Sequence, residues 1–242
     1  MYDFNGMTAV ITGGSSGIGK AIVQKLAQCN CKVWYCSRGF ALQENIPNTV
    51  YRKVDISDEQ QIKSWFDEIA KVDGKVDFLV NNVGCDKRVT FDDADGSEFD
   101  KFIALNLKST FSVSRAALEL LRKGKGKSIV NIGTTNWMLG LAPFTLYGAA
   151  KSGLIGFTRS IARELGKEMI RANMVSPGWI MTDRQLSEFV TEEDKADLLR
   201  DQALPFLLDE SCVTPAVLFL LSEQSKGITG QNLIVDGGKL MI

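Results

Sequence analysis

The chain has 242 residues, of which 45% are hydrophobic and 24% charged, a composition typical of a globular protein with a substantial core. Its formal net charge is −1, so the overall field gives no reason to expect nucleic acid or an anionic membrane as a partner. The basic run "RKGKGK" (Arg122–Lys127) is the obvious local exception, but a solvated helix end followed by a turn explains it more simply.

Residues and patterns that the chain lacks narrow its class further. We expect no membrane span and no signal peptide, because no apolar run reaches roughly 18 residues and no basic segment leads into a long apolar one. Histidine is absent, which removes hydrolases that depend on a Ser-His or Cys-His pair. The cysteines show no metal-ligand spacing, so we expect no metal site, and free thiols in a reducing cytoplasm. They are Cys29, Cys31, Cys36, Cys85 and Cys212.

Short apolar runs alternate with helix-period segments along the chain. The runs predict strands over Thr8–Gly13, Lys32–Ser37, Val50–Asp55, Val76–Asn82, Lys127–Gly133, Arg171–Gly178 and Gln231–Gly238. The segments between them predict helices such as Gly17–Gln28, Asp58–Lys71, Ser97–Arg122 and Thr145–Lys167. Strands that alternate with helices predict an α/β fold, a doubly wound parallel sheet with helices on both faces.

The domain organisation follows from the absence of breaks. We find no internal repeat, low-complexity tract or linker, so residues 1–242 are interpreted as a single domain. The least patterned segment is Met181–Glu210, which follows the sixth predicted strand. We expect it to cover the C-terminal edge of the sheet and to bind substrate, because ligands of open α/β sheets bind at that edge.

A glycine-rich loop, "TGGSSGIG" (Thr12–Gly19), follows the first predicted strand and opens a helix. Glycines allow a tight turn and a close approach of backbone to phosphate, and the helix N-terminus offers unpaired N–H groups to an anion. A glycine-rich loop alone is a weak signal, but its position between strand and helix predicts a nucleotide-binding site.

The second predicted strand ends in "CSR", where an NAD-preferring site usually carries a carboxylate. Here Ser37 ends the strand and Arg38 follows it. A guanidinium can grip a phosphate through two hydrogen bonds, whereas an exposed loop arginine is the simpler alternative. We therefore expect NADP(H) as the preferred cofactor, with NAD(H) second.

Together with this loop, further motifs resemble, in chain order, those of the classical short-chain dehydrogenases/reductases. They are "NNVG" (Asn81–Gly84), Asn106 in "ALNLKS", Tyr147 and Lys151 in "YGAAK", "SPG" (Ser176–Gly178) and "VDGG" (Val235–Gly238). The resemblance extends over essentially the whole chain. It implies a seven-stranded Rossmann-type sheet, hydride transfer between a nicotinamide cofactor and a carbonyl or alcohol, and a homotetramer or dimer.

The resemblance also implies individual cofactor contacts. Asp55 resembles the residue that contacts adenine, Thr182 the one that holds the nicotinamide carboxamide, and Asn81 the one that stabilises the central strand. "NNVG" departs from the usual "NNAG" by two methyl groups. The glycines of the loop would line the pyrophosphate, with an isoleucine beneath them. The other expected contacts are Gly13, Ser15, Ser16, Gly17, Ile18, Gly19, Ser37, Arg38, Ile56, Asn82, Val83, Gly84, Tyr147, Lys151, Pro177, Gly178 and Ile180.

Tyr147 and Lys151 are the predicted proton-transfer pair. Hydride transfer to a carbonyl develops negative charge on oxygen, but a phenol whose pKa lies near 10 is poorly matched to neutral pH. Lys151 follows four residues later, so both side chains share one helix face. An ammonium about 4 Å away contributes up to roughly 4 kcal/mol, which lowers the pKa of the phenol toward physiological values. The resemblance further implies that Lys151 binds the nicotinamide ribose and that Asn106 anchors a water in the proton path.

The family's catalytic serine lies thirteen positions before the tyrosine, and Thr134 occupies that position here. A threonine hydroxyl supplies the same donor and acceptors, with an added methyl group and a stiffer χ1. Losing such a donor costs about 3–4 kcal/mol of transition-state stabilisation, so we expect Thr134 to serve, in a narrower pocket. Thr135 is the second choice for the catalytic hydroxyl. If the strand continues, its side chain would point to the side opposite that of Thr134.

The predicted substrate pocket mixes apolar and cationic side chains. Its walls come from Cys85–Arg88, Trp137–Phe144, Trp179 and Met181–Leu208. For any single one of these residues packing is the simpler explanation, but together they indicate a mostly apolar carbonyl substrate that can carry one anionic group. The named substrate contacts are Arg88, Trp137, Phe144 and Trp179.

Three other functions stay open. A non-catalytic NADP-binding regulatory protein would explain the altered serine position, although the retained Asn106, Tyr147 and Lys151 argue against it. A Rossmann-like methyltransferase would leave the tyrosine–lysine pair without a role. A 3-oxoacyl carrier-protein reductase would need a basic surface for an acidic carrier protein, formed by Arg122, Lys123, Lys125, Lys127 and Arg171.

Overall fold

Seven parallel strands form one sheet in the computed structural model, which describes residues 2–42 and 46–241. The strand order is β3-β2-β1-β4-β5-β6-β7, and every neighbouring pair runs parallel. This arrangement confirms the predicted doubly wound Rossmann-type fold. The strands are β1 (Thr8–Thr12), β2 (Lys32–Ser37), β3 (Thr49–Lys53), β4 (Phe78–Asn81), β5 (Ser128–Ile132), β6 (Arg171–Pro177) and β7 (Asn232–Val235).

Helices cover both faces of the sheet, as the alternating pattern predicts. They are α1 (Gly17–Gln28), α2 (Glu59–Val72), α3 (Gly96–Ile103), α4 (Ser109–Lys123), α5 (Asn136–Leu139), α6 (Thr145–Leu165), α7 (Asp183–Glu188), α8 (Glu192–Asp201) and α9 (Glu210–Leu221). Within the described residues, no helix is both long and apolar enough to span a bilayer.

The hydrophobic core lies on both sides of the sheet because strand side chains alternate in direction. Ile11 of β1 packs with α1 and α9 on one side, next to residues such as Leu26 and Val217. Val10 points the other way and packs with α2 and α4, next to residues such as Phe66 and Val113. Burial on both faces explains why the strands are continuously apolar in the sequence.

The structure differs from the predicted helix Ser97–Arg122, which is divided into α3, a π-helical segment over Ala104–Lys108 and α4. Asn106 lies in the π-helical segment, and its side-chain Nδ2 donates to the carbonyl of Phe102 at 3.1 Å. A side chain that takes the carbonyl of the preceding turn disturbs the regular ladder there. Periodicity alone cannot detect this, because the apolar stripe continues through the segment.

The segment 181–210 is also more regular than its sequence suggests. It contains α7 and α8, each begun by a threonine whose hydroxyl accepts a backbone N–H: Thr182 from Gln185 and Thr191 from Asp194. In return, the carboxylate of Asp194 accepts the backbone N–H of Thr191, which completes a capping box. These caps begin two short helices over the C-terminal edge of the sheet.

Candidate active site

A cleft of about 640 Å³ opens at the carboxyl ends of the strands. The loops after β1, β4, β5 and β6 all contribute to it, with α7 and α8 on the outer side. Of the predicted site residues, Ser15, Ser16, Gly17, Ile18, Asn82, Gly84, Arg88, Thr134, Phe144, Tyr147, Lys151, Pro177, Gly178, Trp179, Ile180 and Thr182 line it.

The glycine loop has the geometry that a pyrophosphate requires. A Cβ on Gly19 would lie 2.1 Å from the carbonyl oxygen of Gly13, so the loop closes only around a glycine. Gly17 has φ +49°, and Ser16, the N-cap of α1, makes no side-chain capping bond. The first-turn N–H groups of α1 are thus left for an anion in the cleft, and these residues fit a dinucleotide.

Tyr147 stands on the first turns of α6 and is buried in the cleft wall. Burial raises the pKa of Tyr147, and the carboxylate of Asp86 raises it further. A hydrogen bond between the Tyr147 and Thr134 hydroxyls acts in the opposite direction on that pKa. The predicted lowering of the phenol pKa is therefore wrong for the free protein, because burial and the Asp86 carboxylate together raise it.

Lys151 lies beneath Tyr147 on the same helix face, with its Nζ 5.9 Å from the centre of the tyrosine ring. That Nζ donates to the carbonyl oxygen of Ile132, the last residue of β5, at 2.8 Å. Burial lowers the pKa of Lys151 to about 8, although the carboxylate of Asp86 opposes the change. A lysine in this state changes its charge close to physiological pH.

Thr134, rather than Thr135, faces the tyrosine. The Thr134 hydroxyl accepts the backbone N–H of Asn136 at 3.2 Å and donates to the side-chain Oδ1 of the same residue at 3.1 Å. Thr135 points toward β6, where its hydroxyl donates to the carbonyl of Pro177. The position that the family pattern indicates is thus the one that carries a hydroxyl into the cleft.

Asn106 reaches the site through the loop after β4. Its Oδ1 accepts the backbone N–H of Cys85 at 2.8 Å. A Cβ on Gly84 would lie 3.2 Å from this Oδ1 and 3.1 Å from Nζ of Lys151, so the loop backbone passes close to both groups. Asn106 does not line the cleft itself; it holds the loop that does.

The adenosine half of the predicted cofactor site lies beyond the cleft, at the ends of β2 and β3. Arg38 is exposed there, near Asp55. Hydrogen bonds from Ser57 lower the pKa of Asp55, and the positive charge of Arg38 adds to this against the effect of burial. Ser37 donates its hydroxyl to the carbonyl of Phe40. Ile56, also expected at this end, is buried in the core.

The two asparagines of "NNVG" make different hydrogen bonds. Asn81 is buried in the sheet, where its Nδ2 donates to Ser114 and Asn131. Asn82 donates to the carbonyls of Thr12 and Gly13, and so ties the glycine loop to β4. A Cβ on Gly13 would lie 2.9 Å from Cγ2 of Val83, which shows that the added methyl groups of "NNVG" pack against the loop.

Comparison with known proteins agrees with this arrangement. The chain matches the family model described as enoyl-(acyl carrier protein) reductase over residues 13–239. It is 34% identical to D-xylose 1-dehydrogenase of Caulobacter vibrioides (strain NA1000 / CB15N), over 96% of this chain and 95% of that protein. The chain belongs to the short-chain dehydrogenase/reductase family.

Relatives in this family carry different names. The chain is 37% identical to carbonyl reductase family member 4 of Xenopus tropicalis, over 94% of this chain and 95% of that one. It is 32% identical to the 3-oxoacyl-[acyl-carrier-protein] reductase of Escherichia coli (strain K12), over 99% of this chain and all of that protein. The aldohexose dehydrogenase of Thermoplasma acidophilum superposes with a TM-score of 0.89 at 27% identity, covering 98% of this chain and 94% of that one.

Within this short-chain dehydrogenase/reductase, Trp137 does not reach the cleft, contrary to the prediction. It packs instead with Leu154, Ile155 and Met174 on the far side of α5. The expectation placed Trp137 in the pocket wall, but the chain turns into α5 directly after Thr135, and Trp137 on that helix packs with the core.

Asp86 and Gln185 lie within the predicted pocket walls, but sequence reasoning gave neither of them a role; they join the loop after β4 to α7. Nε2 of Gln185 donates to Oδ2 of Asp86 at 2.8 Å, and Nη1 of Arg184 lies 3.2 Å from Oδ1 of Asp86. The indole Nε1 of Trp179 donates to Oε1 of Gln185 at 2.8 Å. The only signal in the sequence was a carboxylate two residues after "NNVG".

The basic surface expected for a carrier protein faces away from the cleft. It lies where β5 and β6 begin, whereas the cleft is at their carboxyl ends. Arg122 is bound by Glu168 and Glu119, and Arg171 donates to the carbonyls of Leu220 and Ser222. Two of the five basic side chains are thus engaged within the chain, and the surface lies at the opposite end of the strands from the cleft.

Proposed function

We propose that this protein is an NADP(H)-preferring oxidoreductase that interconverts a carbonyl group and a secondary alcohol, with Tyr147 as acid and base. The observation that carries the proposal is the cleft itself. One wall holds the Thr134 hydroxyl, Tyr147 and Lys151, and the opposite end holds the uncapped start of α1. A cofactor bound at the loop would extend toward the tyrosine.

Each side chain has a role that follows from its contacts. Thr134 orients the substrate oxygen toward Tyr147, which donates its proton to that oxygen during reduction and takes it back during oxidation. Lys151 compensates the charge of the phenolate, and Asn106 keeps the loop of Cys85 beside it. A bound reduced nicotinamide supplies the hydride.

The preference for NADP(H) depends on Arg38. Its guanidinium is exposed where the adenosine ribose would lie, and it can pair with a 2′-phosphate. Arg38 adds to the lowering of the Asp55 pKa, after the hydrogen bonds of Ser57, so the two charges lie near each other in the free protein. A bound 2′-phosphate would interact with the same guanidinium, and the cofactor preference would measure how strongly it does so.

Turnover and binding can be tested together. We would follow NADPH and NADH oxidation against aldehydes, ketones, pentoses, hexoses and acyl thioesters, beside Tyr147→Phe. We expect turnover with wild type and at least about a 1,000-fold loss in Tyr147→Phe, because the variant retains the ring and loses the proton. Tight cofactor binding without turnover of any substrate would instead favour the regulatory alternative.

The cofactor preference needs its own variant. Arg38→Ala should weaken NADPH binding about tenfold or more and leave NADH within about twofold, because only NADPH carries the extra phosphate. Equal weakening of both cofactors would contradict the role of Arg38.

Assembly as a dimer or tetramer is part of the proposal. Phe111 of α4 is 52% exposed and stacks edge-on against Phe157 of α6, with ring centres 6.4 Å apart. This apolar face across two long helices is suited to pairing with a second copy. Light scattering during size-exclusion chromatography would measure the mass, and a monomer at micromolar concentration would contradict it.

A further inference from the structure

Arg88 is a cation of the cleft whose charge has no carboxylate partner. Among residues 2–42 and 46–241, no carboxylate lies within 4.0 Å of its guanidinium and no acceptor takes its N–H groups. Arg184, a second arginine in the cleft, is paired with both Asp86 and Glu188. The two guanidiniums are therefore in different states, one neutralised by the protein and one not.

Three aromatic rings flank Arg88, which is itself exposed. Its guanidinium carbon lies 5.8 Å from the ring centre of Phe144, 5.9 Å from that of Trp179 and 5.2 Å from that of Phe189. Rings at such distances attract the cation through their faces but accept none of its hydrogen bonds in the guanidinium plane. The donors of the guanidinium are thus open to solvent and to a ligand.

The position of Arg88 relates it to the reacting centre. Phe144 contacts both Arg88 and Tyr147, with its ring centre 6.3 Å from that of the tyrosine. The guanidinium carbon of Arg88 and the ring centre of Tyr147 are therefore no farther apart than the sum of these two distances to Phe144. A small molecule with a short or aromatic spacer can reach both.

Resting on the proposed function, we propose that Arg88 is a specificity-determining residue that binds a carboxylate on the substrate, at the end opposite the reacting carbonyl. The substrate class is then an oxo acid or a hydroxy acid with an apolar spacer. A planar carboxylate matches the guanidinium fork through two parallel hydrogen bonds. Phe144 and Trp179 flank the spacer.

The lining of the cleft is of mixed charge around Arg88. Besides Arg88, the charged residues that line it are Asp86, Asp183, Asp194, Asp236, Lys20, Lys151, Arg184 and Lys239. Asp194 is near enough for Arg88 to contribute to its lowered pKa, although its main contacts are the hydrogen bonds of Thr191. One guanidinium neutralises one carboxylate, so the substrate that matches Arg88 is a monoanion.

Binding can be measured apart from turnover. We would titrate the full chain calorimetrically with 4-acetylbenzoate and with its neutral analogue, methyl 4-acetylbenzoate, without cofactor. We expect wild type to bind the acid about 10- to 100-fold more tightly than the ester, and Arg88→Met to lose this difference. Arg88→Lys should be intermediate, because it keeps the charge and loses the fork.

Lys87→Met is the matched control. It removes a neighbouring positive charge, but its Nζ lies near Glu98 outside the cleft, so binding of the acid should stay within about twofold. If Arg88→Met does not fold, the salt dependence of ligand binding to wild type tests the proposal instead. Only the acid should bind more weakly as the salt concentration increases. Equal binding of acid and ester by wild type, or equal weakening of both in Arg88→Met, would overturn the proposal.

Turnover of the same two ketones with NADPH separates this proposal from the function on which it rests. Binding that prefers the acid, with neither ketone and no other carbonyl compound of the substrate panel reduced, would overturn the oxidoreductase and leave the carboxylate site. Reduction of both ketones at equal kcat/KM would overturn the carboxylate site and leave the oxidoreductase.

Discussion

The Asn106 carboxamide pairs with both backbone polar groups of Cys85. Its Oδ1 accepts the Cys85 N–H at 2.8 Å, and its Nδ2 donates to the Cys85 carbonyl at 3.3 Å. The same Nδ2 also donates to the carbonyl of Phe102. One buried side chain therefore joins the π-helical segment to the loop that passes beside Lys151.

Asn106→Ala should destabilise the protein by about 2–4 kcal/mol, because it leaves the N–H and carbonyl of Cys85 without their partners in a buried place. The free energy of unfolding in urea, with an unchanged m-value, measures this. Asn106→Asp keeps the acceptor for the N–H and loses the donor, so its stability should be intermediate or, if the new charge dominates, below that of Asn106→Ala. A loss under about 0.5 kcal/mol in Asn106→Ala would contradict the role.

Thr134→Ala should lower kcat about 100- to 1,000-fold with a small change in KM, because it removes a hydroxyl aimed at the reacting oxygen. Thr134→Ser should stay within about tenfold of wild type, since serine keeps the donor. Thr135→Ser is the control, because that hydroxyl points to Pro177. Steady-state kcat and KM are measured for wild type and the three variants. Activity of Thr134→Ala close to that of wild type would show that another group donates the hydrogen bond to the substrate oxygen.

Lys151 should contribute roughly 2 kcal/mol of added stability between about pH 8 and pH 10. Its pKa is lowered from 10.5 to about 8, so in this window the unfolded chain holds a proton that the folded protein has released. The thiols of Cys31 and Cys36 act in the opposite direction, because burial raises their pKa to about 12 and the unfolded chain loses those protons first. The raised pKa of Tyr147 adds to this opposing effect above pH 10. The contribution of Lys151 is therefore measured as the difference in stability from a variant that lacks it.

Lys151→Met should be more stable than wild type at pH 7, because a buried charge is replaced by an apolar chain. This difference in stability should shrink by roughly 2 kcal/mol between pH 8 and pH 10, as the folded wild type becomes able to hold Lys151 neutral. Lys71→Met, a change at an exposed lysine on α2, should differ from wild type by the same amount at both pH values. Urea titrations at several pH values measure both, and a difference between Lys151→Met and wild type that does not change with pH would contradict the lowered pKa of Lys151.

Asp86→Asn should shift the pH profile of alcohol oxidation toward lower pH by roughly half a unit or more. The carboxylate of Asp86 raises the pKa of both Tyr147 and Lys151, so its removal lowers both values. Asp183→Asn tests the specificity of the effect, since Asp183 lines the same cleft but does not act on either pKa. Identical profiles for wild type and Asp86→Asn would rule out the electrostatic coupling.

Gly19→Ala should abolish cofactor binding and lower stability, because its Cβ would lie 2.1 Å from the carbonyl oxygen of Gly13. Gly156→Ala should have the opposite effect on stability, since a Cβ there meets nothing within 4 Å and glycine is unfavourable within a helix by about 0.5–1 kcal/mol. Thermal unfolding and NADPH fluorescence titration compare the two. Full binding by Gly19→Ala would mean that the loop can relax.

Features that depend on neighbours along the chain were accessible from the sequence. Tyr147 and Lys151 share a face because helix geometry places residues four apart together. The glycine loop was readable because a strand and a helix meet there. The alternation of strands and helices restricted the sheet to a parallel one, and the structure confirms it.

Other features depend on residues that are distant in the chain, and their sequence signals were weak or misleading. The pKa of Tyr147 moved opposite to expectation because burial and the Asp86 carboxylate raise it. The sequence placed both Trp137 and Arg88 in the substrate pocket, yet Trp137 packs with the core and Arg88 lies in the cleft among three rings. Desolvation and packing sum over every surrounding element, so only the assembled fold assigns them.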